Sequence, residues 1–291
     1  MNSVLVTGVG GPAGRASASF LSAQGIRVIG TDILDVCAAV DEFHLVPRGD
    51  DPEFVPAILD LLRFAHPFLL IPTVSEELPA IARAREMVRM LGVGLYISDP
   101  DVVDLANDKL ATARMLDELG IPVPKTLYFP DGVRGNVVGR ELDYPFIVKP
   151  RVGRGGRGVH LCQQDSELVG LSQSAVVYQE FMPGNEYDVN LFAYPAGSVK
   201  ALAVLQKTSM KQGMVGNALT VQRVIHRDVA ELGLRVASAI SLEGPIDMDV
   251  RLGSDGVPRI LEINARVGAN VLAAPEVLET LLTNKHEGVL A

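Results

Sequence analysis

Short apolar runs broken by turn residues open the chain. Ser3-Val-Leu-Val-Thr7 reads as a buried strand and Gly8 to Gly14 as a glycine-rich turn. A helix then runs to about Gln24 and is closed by Gly25. Arg27-Val-Ile-Gly-Thr-Asp32 and Phe68-Leu-Leu-Ile71 are further strands, and Glu76 to Met90 reads as one helix. Strands alternating with helices predict a parallel, doubly wound sheet over residues 1–100, ending near Ser98-Asp-Pro100. A helix over about Asp108 to Leu119 follows, stopped by Gly120 and Pro122. The middle is turn-rich until Pro145-Phe-Ile-Val-Lys-Pro150. The last third mixes strands with a helix over about Arg227 to Ile240, and Leu281 to Ala291 show no packing pattern.

The most informative alternation is Ile246 to Asn264. Asp255-Gly256 is a two-residue hairpin signal between period-two strands. With Ser254 opposite Val257, Asp249 falls opposite Glu262 and Asp247 opposite Asn264. All four share one face, and Met248, Val250, Leu261 and Ile263 share the other, which reads as core. Facing carboxylates repel. A hard cation with oxygen ligands removes that cost, and Mg²⁺ carrying a nucleotide phosphate suits it.

Composition narrows the classes. The 291 residues are 48% hydrophobic, enough for a large core and two or three domains. A net charge of −9 disfavours a nucleic-acid binder held by bulk electrostatics. Cys37 and Cys162 lie far apart, so a disulfide framework is not expected and a reducing, cytoplasmic setting is. No signal peptide or membrane span is read.

Three segments carry candidate chemistry. Gly8, Gly11 and Gly14 after a strand, with Asp32 ending the next, fit a dinucleotide fingerprint. The Tyr-x-x-x-Lys pair of short-chain dehydrogenases is missing, which weakens the case for NAD. Mid-chain, Lys149 leads into Gly153-Arg-Gly-Gly-Arg-Gly158, where the backbone can approach phosphate and Arg154 and Arg157 can add charged forks. After the Val176 strand, Glu180, Phe181 and Met182 form a linker that can meet an adenine edge, and Glu186 can take ribose hydroxyls. His160 and His226 read as structural, and Ser75 reads as a helix cap.

Asn107-Asp-Lys109, Ile147-Val-Lys149-Pro150, the loop 153–158, Gln179-Glu-Phe-Met182, Gly184-Asn-Glu186 and Leu261-Glu-Ile-Asn-Ala-Arg266 occur in this order. In that order the chain resembles the ATP-grasp superfamily, in the carbamoyl-phosphate-synthase-large-subunit-like branch of carboxylate–amine ligases. The resemblance implies an α/β and α+β fold: a Rossmann-like pre-ATP-grasp domain (1–100), then a two-lobed ATP-grasp fold. Its small lobe with the glycine lid covers 101–177, and its C-terminal lobe with the metal-binding hairpin covers 178–291. It implies ATP phosphates on Lys109, Lys149 and the lid (Gly153, Arg154, Gly155, Gly156 and Gly158). Adenine falls to Glu180, Phe181 and Met182, and ribose to Glu186. Mg²⁺, or Mn²⁺ in its place, falls to Asp249, Glu262 and Asn264, with Asp247 in support. Arg266, Lys207 and Lys211 lie beside the transferring phosphoryl group. The implied reaction is ADP-forming: a small carboxylate becomes an acyl phosphate and is joined to an amine, with amino-acid-like substrates. Neither nucleic acid nor membrane is an expected partner; a homo-oligomer is. Asp249 departs from the Gln that synthetase relatives often carry, and a second subunit completing the acceptor wall is a further expectation. The alternatives are an NAD(P)-dependent short-chain-type oxidoreductase and a non-catalytic nucleotide-binding protein.

Overall fold

The computed structural model describes residues 3–130, 138–153, 155–168, 175–195, 198–212 and 215–283. In its first third, β1 (Ser3–Thr7), α1 (Pro12–Ala23), β2 (Arg27–Asp32), β3 (Glu42–Leu45), α2 (Phe54–Ala65) and β4 (Leu69–Ile71) alternate. They give a parallel four-stranded sheet of order β3-β2-β1-β4. Both faces of β1 are buried. Leu5 joins the core under α2, and Val4 and Val6 join the core under α1. The helix expected over Glu76 to Met90 is two helices, α3 (Leu78–Arg83) and α4 (Arg85–Met90). The chain leaves helical geometry at Ala84, and both pieces touch α2. Ser75 caps neither: Glu77 stands at the N-cap of α3, with no side-chain cap bond.

Next, α5 (Pro100–Asn107) abuts α6 (Lys109–Glu118). Asp108 divides them because its carboxylate accepts the backbone N–H groups of Leu110 and Ala111, at 3.0 and 3.1 Å. A small lobe follows: β5 (Thr126–Leu127), α7 (Val138–Glu141), β6 (Phe146–Pro150), β7 (His160–Cys162) and β8 (Val176–Glu180). Its antiparallel sheet, β5-β8-β6-β7, packs Phe146, Val148, Cys162 and Tyr178 into a separate core.

The last part holds β9 (Glu186–Ala193), β10 (Val199–Gln212), β11 (Val215–Val224), α8 (Arg227–Ala239), β12 (Gly244–Leu252), β13 (Pro258–Asn264) and α9 (Glu276–Thr283). The antiparallel sheet runs β11-β10-β9-β12-β13. One face is apolar: Tyr187, Val189, Leu191, Met248 and Val250 share a core with Val229, Leu232 and Val236 of α8. The other face changes character along its length. At one end Phe192, Ala203 and Leu205 pack with residues of α1 and α9; at the other it is polar. Leu281, expected to lack packing, is buried in α9, and residues 284–291 lie outside the described ones.

The hairpin reaches the expected pairs by another route. Asp247 pairs with Asn264 and Asp249 with Glu262, but nearer the turn Val250 pairs with Ile260 and Leu252 with Pro258. The turn is a three-residue loop, with Gly253 N–H bonded to Val257 O at 3.0 Å and Gly256 at φ 76°. One extra residue, Leu261, is absorbed as a bulge on β13. The longer loop and the bulge each shift the register by one residue, in opposite senses. Ile260, not Leu261, fills the core, and Leu261 turns partly buried toward the polar face.

Candidate active site

Period-two alternation gives the polar face its residues. Glu186, Asp188 and Asn190 project from β9, Asp247, Asp249 and Arg251 from β12, and Glu262 and Asn264 from β13. Lys207 on β10 lies among them, 2.7 Å from Glu186, 3.0 Å from Asp188 and 2.6 Å from Asp249. Lys109 reaches Glu262 at 3.2 Å and donates to Gly153 O at 2.7 Å. Lys149, buried on β6, donates to the carbonyl of the bulged Leu261 at 3.1 Å. Arg266 donates to Asn264 at 3.1 Å and lies 3.5 Å from Asp247. The carboxylates and cations of this face thus neutralise one another side by side.

Crowding separates their protonation. Burial, together with Asp188 and Glu262 and against Lys207, holds Asp249 well above the usual carboxylate range. Burial opposes the charge of Glu262 too, yet Lys109 and Lys149 hold it down to about 2. Burial and Asp188 raise Asp247 to about 7. Burial lowers Lys149 to about 8, against the pull of Glu262. The facing pair is thus pushed apart: burial raises Asp249, and the two lysines lower Glu262. Among the described residues no three Asp, Glu, His or Cys side chains form a ready cation cage. The expected set contains two carboxylates and the amide of Asn264. Those hard oxygen donors fit Mg²⁺.

Two chambers meet at this face. One is a cleft of about 100 Å³ lined by Lys149, Gly156, Glu180, Phe181, Met182 and Glu186 among others. Pockets that enclose a ligand are typically about 300–1,000 Å³. Gly156 and Val159 form one wall of the cleft, so a nucleotide enters only if the glycine loop moves. The second chamber is about 590 Å³. Its walls come from Gly8, Gly11 and Ala13 after β1, Thr73 and Val74 after β4, Gly155, Arg157, Lys211 and Arg266. Lys207, Asp249 and Glu262 line both chambers.

A family model for the ATP-grasp domain matches residues 106–270, more than half of the chain. The protein belongs to the ATP-grasp family. The carbamoyl phosphate synthase large chain of Xylella fastidiosa (strain Temecula1) is 24% identical over 242 residues, which cover 76% of this chain and 22% of that one. The D-alanine–D-alanine ligase of Marinomonas sp. (strain MWYL1) is 30% identical over 127 residues, 40% of each chain. Among solved structures, the L-amino acid ligase of Bacillus licheniformis superposes with a TM-score of 0.72 at 17% identity, covering 100% of this chain and 77% of that chain. That likeness is one of fold. This chain spans about a fifth of the length of the synthase chains it matches.

Lys149, Glu180, Phe181, Met182 and Glu186, singled out in the sequence, all line the small cleft. Lys109 is set apart from it, in a cavity of about 320 Å³ behind Glu262, with Asn107, Val152 and Gly153. Arg157 lines the second chamber and a further cavity of about 320 Å³ beside Asp32, not the small cleft, and Arg154 lies outside the described residues. Ser75, read from sequence as a cap, instead accepts a long hydrogen bond from Arg266 at 3.4 Å. Arg251 went unassigned in the sequence. It stacks 4.8 Å over Phe181 and donates to Gly184 O at 3.0 Å and to Glu186 at 3.3 Å. Its signal was there: it lies two residues beyond Asp249, on the same face. Asp188 and Asn190 follow Glu186 by the same period and were missed for the same reason.

Asp32 accepts the N–H groups of Gly10 and Ile33, each at 2.8 Å, and of Leu34 at 3.3 Å. Its carboxylate ties the glycine turn to β2 and, with Gly8, Gly10 and Gly11, lines a cavity of about 320 Å³.

Proposed function

We propose that the protein is an ADP-forming ligase that activates a small carboxylate as an acyl phosphate and joins it to an amine, with amino-acid-like substrates. One observation carries the reading: a nucleotide-type cleft and a substrate-sized chamber share the wall of Lys207, Asp249 and Glu262. A phosphoryl group can pass from one chamber to the other only there. Glu180, Phe181 and Met182 would line the adenine site of ATP, Glu186 would take its ribose, and Lys149 and the loop 153–158 would take its phosphates. The carboxylate oxygen attacks the γ-phosphorus and ADP leaves. The amine then attacks the acyl carbon, phosphate leaves, and the nitrogen loses a proton. The protein contributes position and opposing charge, with Arg266 beside the carboxylate being activated. Asp249, Glu262 and Asn264 would hold Mg²⁺, which when bound neutralises phosphate charge. Residues 1–100 act as a Rossmann-like pre-ATP-grasp domain, 101–177 as the lid-bearing lobe and 178–291 as the lobe that holds the metal face. Composition supports a cytoplasmic setting; among the described residues no helix is long and apolar enough to cross a membrane.

The test is ADP release over pairs of carboxylates and amines with Mg²⁺-ATP, the products read by mass. The expected result is ADP formation that needs both partners and gives a product one water lighter than their sum. ADP formed without a carboxylate, or no amide from any pair, overturns the reading.

A further inference from the structure

One cation of the small cleft has no part in the ligase reading. Arg251 is 6% exposed, lines the cleft with Phe181, Met182 and Glu186, and stands near the end of β12 directly opposite Glu186 on β9. Burying a guanidinium is costly unless its donors are met, and an apolar side chain fills such a space at less cost. The arginine is set apart by where its contacts fall. Its guanidinium lies 4.8 Å over the Phe181 ring, Nε donates to Gly184 O at 3.0 Å, and Nη1 donates to Glu186 Oε2 at 3.3 Å. All three belong to one short segment.

That segment, between Glu180 at the end of β8 and Glu186 at the start of β9, joins the small lobe to the five-stranded sheet. Its backbone docks on the same strand end. Gly184 N–H donates to Leu252 O, and Leu252 N–H donates to Asn185 O, both at 3.0 Å. A Cβ at Gly184 would stand 2.7 Å from Leu252 Cβ and O, so so close an approach needs glycine. Glu186 needs a hold of its own. Its Oε1 accepts Lys207 at 2.7 Å, but Lys207 is shared with Asp188 and Asp249, at 3.0 and 2.6 Å. A cation divided among three carboxylates does not fix the plane of one. Arg251 engages the second oxygen and fixes it, and each oxygen keeps a lone pair for a hydroxyl.

We infer that Arg251 is a positioning residue that sets nucleotide selectivity. It fixes the spacing between the backbone at Glu180 to Met182, which meets the base, and the Glu186 carboxylate, which meets the ribose. The cleft thereby favours a nucleotide with an intact ribose diol. Arg251 acts through Glu186 and the segment, and touches no reacting atom. The inference rests on the assignment of this cleft to ATP in the ligase reading.

Calorimetric titrations with Mg²⁺ compare ATP with 2′,3′-dideoxy-ATP, which lacks both ribose hydroxyls. ATP should bind the unaltered protein about 10- to 100-fold more tightly, the range that hydrogen bonds to a charged group give. Arg251→Met should remove most of that margin, and Arg251→Lys, which keeps the charge but not the fork, should retain part of it. A merely structural role would weaken both nucleotides alike and leave the margin in place. Glu186→Gln should lower the margin by itself, and adding Arg251→Met should lower it no further, because the two residues act as one unit. An unmoved margin in Arg251→Met overturns the inference, as does a further fall in the double variant. If Arg251→Met does not fold, Arg251→Lys decides by the same ratio, and a margin equal to that of the unaltered protein overturns the inference. Equal binding of the two nucleotides to the unaltered protein overturns the inference alone. Binding of neither overturns the assignment of the cleft, and the inference with it.

Discussion

Glu262 touches both chambers, pairs with Lys109 at 3.2 Å and faces Asp249 across the hairpin. Glu262→Gln keeps the shape and removes the charge. ADP formation should fall to background in a coupled assay, and retained turnover would remove Glu262 from the metal set. Facing carboxylates alone suggest that this change relieves repulsion. The structure reverses the sign, because Lys109 and Lys149 lose the anion between them. Chemical denaturation without metal should show a loss of about 1–3 kcal/mol. Arg266 is a second case. It contacts Asn264, Asp247 and Ser75, so it is held in place before any substrate arrives. Arg266→Ala should lower kcat on the order of 10²–10³-fold while the Kd for ATP changes little, the pattern of a group that acts on charge developing in the transition state. A loss confined to ATP affinity would place Arg266 with the nucleotide instead.

The β12–β13 hairpin shows what a sequence discloses and what it conceals. That Asp247, Asp249, Glu262 and Asn264 share a face was legible, because side chains alternate strictly along a strand and the core residues between them are apolar. The route was not. A three-residue loop and a bulge at Leu261 offset each other, and no residue type announces where a bulge will fall. The bulge has a use: its carbonyl accepts the Lys149 ammonium at 3.1 Å, and its side chain forms part of the cleft. Lys109 was named in the sequence but its contacts were not legible there, since reaching Gly153 and Glu262 depends on how α6 meets the loop and β13, not on local pattern. The loop itself should respond to nucleotide. Gly155, Gly156 and Gly158 all have φ near 67°, a backbone that other residues rarely adopt, and the cleft under them is too small for ATP. Hydrogen exchange over residues 150–160 should be fast in the free protein and slow with Mg²⁺-ATP, and equal protection in both states would exclude a lid.

At the scale of the whole molecule, the smaller cleft is lined by the small lobe on one side and the five-stranded sheet on the other. A ligand that binds there links the two and stabilises the native state by mass action. Mg²⁺-ATP should raise Tm in a thermal scan, and NAD or NADP should not, because the chain lacks the Tyr-x-x-x-Lys pair of a short-chain oxidoreductase. A shift with NAD alone would revive the oxidoreductase reading. The two chambers also draw on different stretches of chain. Among the described residues the smaller cleft is lined by residues between Ile147 and Glu262, whereas the larger chamber borrows Gly8, Gly11 to Ala13 and Thr73 to Val74 from the first sheet and its connections. Mutations near the N terminus can therefore alter what is ligated without disturbing how energy is delivered. Descendants of a common ancestor could diverge in chemistry by rewriting two short turns, and grafting those turns between relatives offers a direct way to retrace such divergence.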